Sequence, residues 1–437
     1  MKKDIGFFEA FSIGVGGMVG GGIFAVLGLT IQLSQGAAPI AFALAGIIAL
    51  VTVYAYVKLS LTYPSEGGTI EFIVQAMGNN LFAALVNNLL LISYVIMLSL
   101  YAYAFGSYGC ALLIGDDQPW LHNILATSVI VIFTFINLMG SFMTGKTEDI
   151  MVFIKLAILL LFTGVGFTTI NPSRLEPSTW SPPLSIITGG LMIFLAYEGF
   201  ELIANTAKDI KNPEKNLPRA FYSAVIFVIL LYIGVAAVAI GNVSIAEAQK
   251  AKDYILAVAA EPFFGKTGFT IISIAALLST ASAINATLYG GGRVGYLIAK
   301  LGELPHTFDE KIKQGYEGVI IIALMSIIFT TSFDLENISI AGSAGFLIIF
   351  ALVNLSAFIR YKETQANRFI TGFGFILCSL ATIVLIGYNT LHNPHALLSS
   401  GLVIGIVALF SALYYKIEKR KGTAQYLDKD LKNHLHK

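Results

Sequence analysis

Long apolar runs alternate with short polar segments along the whole chain, and the runs are too long for a soluble core. "FYSAVIFVILLYIGVAAVAIG" at residues 221–241 reaches the roughly 20 residues that a helix needs to cross a bilayer. The pattern predicts twelve spans, near residues 7–34, 37–59, 81–113, 122–142, 148–170, 184–207, 219–241, 266–300, 316–332, 338–359, 369–389 and 396–415. The third and eighth are long enough to tilt or to project beyond the lipid. The polar segment 64–80 is too short to span and is expected along the cytosolic face. The segment 242–262 is expected as a short amphipathic helix outside the bilayer, of the length often found in lids.

Two spans carry signs of interruption. The first contains "GVGGMVGGGIF" at residues 14–24. Each glycine weakens a helix by roughly 1 kcal/mol relative to alanine, so Gly20, Gly21 and Gly22 in a row invite unwinding. Either the helix opens there, leaving N–H groups that attract an anion such as a carboxylate, or the glycines form a close helix-packing face. The sixth span, within "FLAYEGFELIANTAKDIKNP" at residues 194–213, has Gly199 between Glu198 and Glu201. Two acids inside a span are costly and predict a wet or polar interior. Interrupted spans in corresponding halves are the signature of an inverted repeat with a midplane site.

Composition sharpens this picture. The chain of 437 residues is 56% hydrophobic and only 12% charged, against about 25% charged in soluble domains. With the N-terminus inside, 22 of the 27 basic residues fall on the cytosolic side and four on the other, which predicts cytosolic termini. Asp4, Glu9 and the glycines that follow separate the N-terminus from a cleavable signal peptide, so it reads as an uncleaved first span. A net charge of +1 without a basic–aromatic patch gives no sign of nucleic-acid binding. Cys110 and Cys378 lie in separate spans, with nothing to suggest a disulfide. "GGGRVG" at residues 290–295 lacks the preceding strand of a dinucleotide fold and reads as helix packing. His392 and His395 have no second ligand cluster, so neither a metal nor a cofactor is expected. No nucleophile–base pair suggests an enzyme.

Lys155 remains: one ammonium inside "MVFIKLAILLLF" at residues 151–162. It follows Asp149 by six residues, about 9 Å of helix. A snorkelling side chain would reach the interface from there; a buried one would be functional.

The motifs "GGGIF" at 20–24, "PSEGGTIEF" at 64–72, "AYEGFE" at 196–201, "KDIKNPEKNLPRA" at 208–220 and "SAINATLYGGGRVGYLIAKLGELP" at 282–305 together carry a resemblance. Over residues 7–360 the chain resembles the amino acid–polyamine–organocation family of permeases, and within it the proton-coupled amino-acid transporters. The resemblance implies an all-α polytopic protein with a LeuT-like fold of five plus five inverted helices and two C-terminal helices. Its divisions would be a cytosolic N-terminus at 1–6, repeats at 7–170 and 184–360, the last two spans at 369–415 and a cytosolic tail at 416–437.

It implies an amino acid as substrate, with the carboxylate on the N–H groups of Gly20, Gly21 and Gly22. The substrate ammonium would meet carbonyls near Val19 and in the stretch Ala196, Tyr197, Glu198 and Gly199. A proton would be the coupling ion. Lys155 would stand where sodium-driven relatives bind the metal, near the carbonyls of Gly17 and Met18 and the hydroxyl of Ser279 or Ser282. Glu201 matches an acidic position associated with pH response. Glu198 either faces the pocket and favours a cationic substrate or pairs with a base elsewhere. Tyr94 and Tyr101 either touch substrate or pack. The chain departs from the family at Lys208, often acidic, at Leu301, often aspartate, and at Leu195, a tryptophan gate in arginine exchangers. Exchange without net proton use, and an amino-acid sensor that does not transport, are the alternatives. The oligomeric state has no signature in the sequence.

Overall fold

A computed structural model describes residues 5–115, 118–140, 145–312 and 315–421. Lys2 and Lys3, His434 and His436, and most of the expected C-terminal tail lie outside them. The first span is two helices, α1 (Phe7–Met18) and α2 (Gly22–Ser34), bent by 46°. Then follow α3 (Ala38–Thr62), α4 (Thr69–Met77), α5 (Leu81–Ile114), α6 (Pro119–Leu138), α7 (Gly145–Gly166) and α8 (Pro183–Met192). A 3-10 segment (Phe194–Asp209) continues α8. After it come α9 (Pro213–Asn242), α10 (Ile245–Lys250), α11 (Ile255–Lys300), α12 (Gly318–Ser332), α13 (Leu335–Ile359), α14 (Tyr361–Thr364), α15 (Arg368–His392) and α16 (Pro394–Lys421). A two-residue antiparallel pair, Lys311–Ile312 with Gly315–Tyr316, is the one sheet among the described residues.

Nine of the described helices are long and apolar enough to cross a membrane, ten when the bent pair counts as one span. The expected count was twelve. The ninth expected span is the 15-residue α12, short of the ~20 residues of a full crossing, and the twelfth lies within the 28-residue α16.

Burial sorts the spans. The most apolar windows of α8 with its 3-10 continuation, of α13 and of α5 are 83%, 78% and 72% buried, while α6 and α7 reach 28%. The interrupted sixth span is therefore the most enclosed element, as unsatisfied backbone in a membrane requires. Around it, α5 packs on α11, α3 on α9, and α13 on α15.

Two segments differ from expectation. Residues 64–80 do not simply lie along a face: α4 tucks Thr69, Ile70, Phe72 and Ile73 inside, against α5 and α13. Residues 242–262 are not one amphipathic helix. They form α10, a 3-10 turn (Lys252–Tyr254) and the start of α11, with Ile255, Leu256 and Ala257 buried. α11 kinks at Gly265, whose φ of 63° only glycine adopts without strain. Residues 266–300, the expected eighth span, are the straight helix beyond that kink.

Candidate functional site

The glycine run breaks the first span where the sequence places the break. α1 ends at Met18, Val19 to Gly21 are non-helical, and Gly22 opens α2. The start of α2 leaves its first N–H groups without intrahelical partners. The sixth span breaks earlier than expected. α8 stops at Met192, Ile193 departs from helical geometry, and Gly199 lies within the 3-10 segment rather than at the break. A 3-10 run of 16 residues is far beyond the usual three or four and marks a strained or hinged element.

Neighbouring hydroxyls satisfy the carbonyls that these breaks release. Ser279 on α11 directs its hydroxyl at the carbonyls of Val19 and Gly20. Tyr232 on α9 donates to Met18 O at 2.6 Å and lies 3.3 Å from Ala196 O, so one phenol spans both interrupted elements. Ser339 and Ser343 on α13 each donate to Met192 O at 2.7 Å, and Ser343 accepts from the N–H of Leu195 at 3.1 Å. Tyr197 donates to Phe42 O at 2.9 Å. Tyr232, Ser339 and Ser343 were not among the sequence candidates.

The two interrupted elements cross at glycine. A Cβ on Gly17 would lie 2.8 Å from Gly199 O and 3.1 Å from Gly199 Cα, and a Cβ on Gly199 would strike the backbone of Gly17 and Met18. Gly17 and Gly199 are thus the point of closest approach. A Cβ on Gly22 would meet that of Ala196 at 3.0 Å. Gly21 is covered by the ring of Tyr101 and by Thr280. Both readings of the glycines therefore apply: Gly20 and Gly21 interrupt the helix, while Gly17 packs.

Lys155 does not snorkel. It is 4% exposed, and its Nζ donates to Gly16 O at 2.9 Å, one residue before the expected Gly17 and Met18 carbonyls. The Met18 carbonyl is taken by Tyr232 instead. A space of about 10 Å³, large enough for one water, lies among Lys155, Ser279 and Ser282. The structure thus brings those three together, although Ser279 bonds the Val19 and Gly20 carbonyls of the break.

A cavity of about 60 Å³ adjoins it, lined by Gly16 and Gly17 of α1, Tyr94 and Tyr101, Lys155, Glu198 and Ser282. A water needs about 10–15 Å³ on this measure, so the space fits only a few. Val19, Gly20, Gly21 and Gly22 do not line it; Tyr101 stands between. Glu198 faces this cavity, and its Oε2 has no hydrogen-bond partner among the described residues.

Glu201 is 2% exposed and accepts three hydroxyl bonds. They come from Tyr56 of α3 at 3.1 Å, Thr69 of α4 at 3.0 Å and Tyr94 of α5 at 3.1 Å. The Tyr56 ring packs edge-on against Phe72, Phe200 and Phe350. This carboxyl ties the 3-10 segment to α3, α4 and α5 in dry surroundings. Tyr56 and Thr69 were not among the sequence candidates, and Tyr94, expected either to touch substrate or to pack, bonds Glu201.

Elsewhere, Cys110 and Cys378 are buried and not bonded to each other. In the 290–295 glycine motif, Gly292 faces Val319 and Gly295 faces Phe308, which is helix packing. Arg293 of that motif pairs with Glu66.

A helical membrane bundle with two interrupted spans, crossing beside a small cavity that holds Lys155 and Glu198, has the build of a multi-pass solute carrier. The chain belongs to the amino acid permease family, whose sequence model matches residues 5–409. An uncharacterized protein of Methanocaldococcus jannaschii is 37% identical over 421 residues, covering 96% of this chain and 97% of the relative. The inner membrane transport protein YbaT of Escherichia coli is 34% identical, covering 97% and 98%. A branched-chain amino acid permease of Bacillus subtilis, BcaP, is 23% identical over 432 residues, covering 92% of each.

Proposed function

We propose that this permease carries amino acids across the cell membrane in symport with protons, by alternating access between two halves of an inverted five-plus-five repeat, with both termini cytosolic. The observation that carries the reading is the Lys155 ammonium, buried beside a cavity and bonded to Gly16 O on the interrupted first span. Burial disfavours the charged form of a lysine. The cycle would use that tension. While protonated, Lys155 holds α1 against α7; on losing the proton it loses the donor charge, and α1 is freed to tilt.

The substrate would bind at the breaks. Its carboxylate would lie on the N–H groups of Gly20, Gly21 and Gly22, and its ammonium on carbonyls of the Val19 and Ala196–Gly199 stretches. The Tyr101 ring must leave Gly21 for that to happen. The driving force is sufficient: one charge through 100 mV yields about 2.3 kcal/mol, and one pH unit adds about 1.4 kcal/mol.

The test is uptake of labelled amino acids into proteoliposomes that contain none, energised by a pH step alone. Wild-type protein accumulates substrate, and Lys155→Ala loses pH-driven uptake while keeping counterflow. If Lys155→Ala keeps full pH-driven uptake, the lysine does not couple protons. If wild-type protein moves substrate only against internal amino acid, it is an exchanger; if it binds substrate without counterflow, it is a sensor.

A further inference from the structure

The turn that ends α11 carries another buried acid, which does not line the cavity. α11 stops at a Schellman turn. Gly302, at φ 74°, donates its N–H to Ala299 O at 2.9 Å, and Glu303 donates its own to Ile298 O at 3.1 Å. In such a turn the residue after the glycine is usually apolar and packs back on the helix. Here that position holds Glu303, and the turn folds it onto α5, where it is 2% exposed.

Its surroundings supply too few donors. Asn87 Nδ2 donates to Glu303 Oε2 at 2.7 Å. Asn88 spends its amide on Glu303 O at 3.3 Å and on Ser411 Oγ of α16 at 3.0 Å. Tyr414 of α16 donates to Leu304 O at 2.9 Å. Three acceptor oxygens are buried without a partner among the described residues: Glu303 Oε1, Asn87 Oδ1 and Asn88 Oδ1. Asn87 and Asn88 are themselves 1% and 3% exposed.

No described residue neutralises the carboxyl. α5 contains no charged residue. Of the charged groups on the adjoining segments, Lys300 pairs with Asp309 at 2.7 Å, with His306 also beside Asp309, and Lys416 lies further along α16. Glu303 makes no ion pair with any described residue; the adjoining segments also carry Glu310, Lys311 and the phenols Tyr414 and Tyr415. A bare carboxylate that receives a single amide donor in a dry junction is a costly arrangement. A proton removes that cost, because it neutralises the carboxyl.

We propose that Glu303 is a proton-binding site, distinct from the Lys155 cavity, whose bound proton fastens the end of α11 and α16 onto α5 at neutral pH. Burial pushes its carboxyl up to about 8, against the downward pull of the Asn87 amide. The sign follows. The folded state keeps this proton over a window, from about 4.5 to about 8, in which the unfolded chain has lost it. Stability from this group is therefore complete below that window and is lost as pH rises through it. Each pH unit inside the window weakens the folding equilibrium by up to about tenfold.

The experiment is infrared difference spectroscopy of the purified full-length protein, with Tm recorded in parallel from pH 5 to pH 9. Wild-type minus Glu303→Gln shows a carboxylic-acid C=O band at pH 6.5 that disappears near pH 8. Wild-type Tm falls across the same range more steeply than that of Glu303→Gln. Glu303→Leu, which restores the apolar residue usual at this turn, folds and shows the same flattened profile. Absence of the band at pH 6.5, or Tm profiles that stay parallel, overturns the proposal. So does a Tm that depends on sodium or potassium at fixed pH in wild-type but not in Glu303→Gln, because an alkali cation would then occupy the site. None of these readouts involves transport, so they stand or fall separately from the carrier reading.

Discussion

Replacing Gly199 by alanine tests the crossing on which the site depends. The new methyl would strike the carbonyl carbon of Gly17 and the amide nitrogen of Met18, both backbone atoms that cannot swing aside. The reciprocal change, Gly17→Ala, meets Gly199 O and Leu202 Cδ1 at 2.8 Å and Gly199 Cα at 3.1 Å. Nonbonded carbon contacts settle at about 3.5–4.0 Å, so the two elements must part by about half an ångström or more. Overpacking of this kind costs about 1–3 kcal/mol. Gly199→Ala belongs at the upper end, because separating the elements also pulls Met18 O and Ala196 O away from their shared Tyr232 hydroxyl. At about 2 °C per kcal/mol for a chain of this length, Tm falls by about 2–6 °C. Uptake per folded molecule falls further than Tm suggests, since both interrupted elements shift. Gly387→Ala in α15 is the control. Nothing lies within 4 Å of its new methyl, and alanine is the better helix former by up to about 1 kcal/mol. Measured by thermal unfolding in detergent and by liposome uptake, a Gly199→Ala protein as stable and active as Gly387→Ala would refute the close crossing.

Two other changes probe the hydroxyls. Tyr232→Phe deprives Met18 O and Ala196 O of a donor, costing about 1–3 kcal/mol for acceptors left unpaired in a dry site. It lowers Tm and weakens substrate binding, read by the ligand-induced Tm shift; an unchanged shift would remove Tyr232 from the site. Tyr56→Phe takes one of three donors from Glu201 and also costs about 1–3 kcal/mol. Glu201→Gln costs less, because the Tyr56, Thr69 and Tyr94 hydroxyls can rotate to accept from an amide. A Glu201→Gln protein less stable than Tyr56→Phe would show that the carboxyl needs its charge.

How legible each part was depends on the kind of signal. The first break was readable because Gly20, Gly21 and Gly22 weaken the helix through their own backbones, whatever surrounds them. Lys155 stood out because an ammonium in an apolar run has few inexpensive explanations, though the choice of Gly16 over Gly17 or Met18 depends on how α1 and α7 pack. The second break was misplaced because "MIFLAYEGF" has no breaker at Ile193. What opens the chain there is tertiary, namely Ser339 and Ser343 offering hydroxyls to Met192 O. Such serines carry no mark in the sequence. Ser93 looks the same and bonds the carbonyl four residues back in its own helix. Glu201 was readable as a buried acid, but its partners Tyr56, Thr69 and Tyr94 come from three elements that no local pattern brings together.

The side-chain donors at the breaks bear on how a solute could bind there. Each carbonyl freed by an interruption needs a donor at every stage, since an unpaired one costs about 1–3 kcal/mol. With the breaks closed, Ser279 and Tyr232 serve Met18, Val19, Gly20 and Ala196. Under the proposed function a substrate ammonium would take over carbonyls that are already satisfied, so it gains only the difference between a charged and a neutral donor. That difference is about 1 kcal/mol per bond, because bonds to charged groups contribute about 1.5–3 kcal/mol against about 0.5–1.5 for neutral ones. Binding should therefore be weak and reversible. The larger share of selectivity would fall to groups that lack a partner beforehand. In the cavity one such group is Glu198, whose Oε2 is buried with no partner among the described residues. A solute that brings it a donor relieves an existing cost, whereas one with an apolar side chain leaves that cost in place. Glu198→Gln should accordingly narrow the affinity gap between donor-bearing and aliphatic amino acids in a ligand-induced Tm screen, and a gap left unchanged would show that Glu198 takes no part in selection.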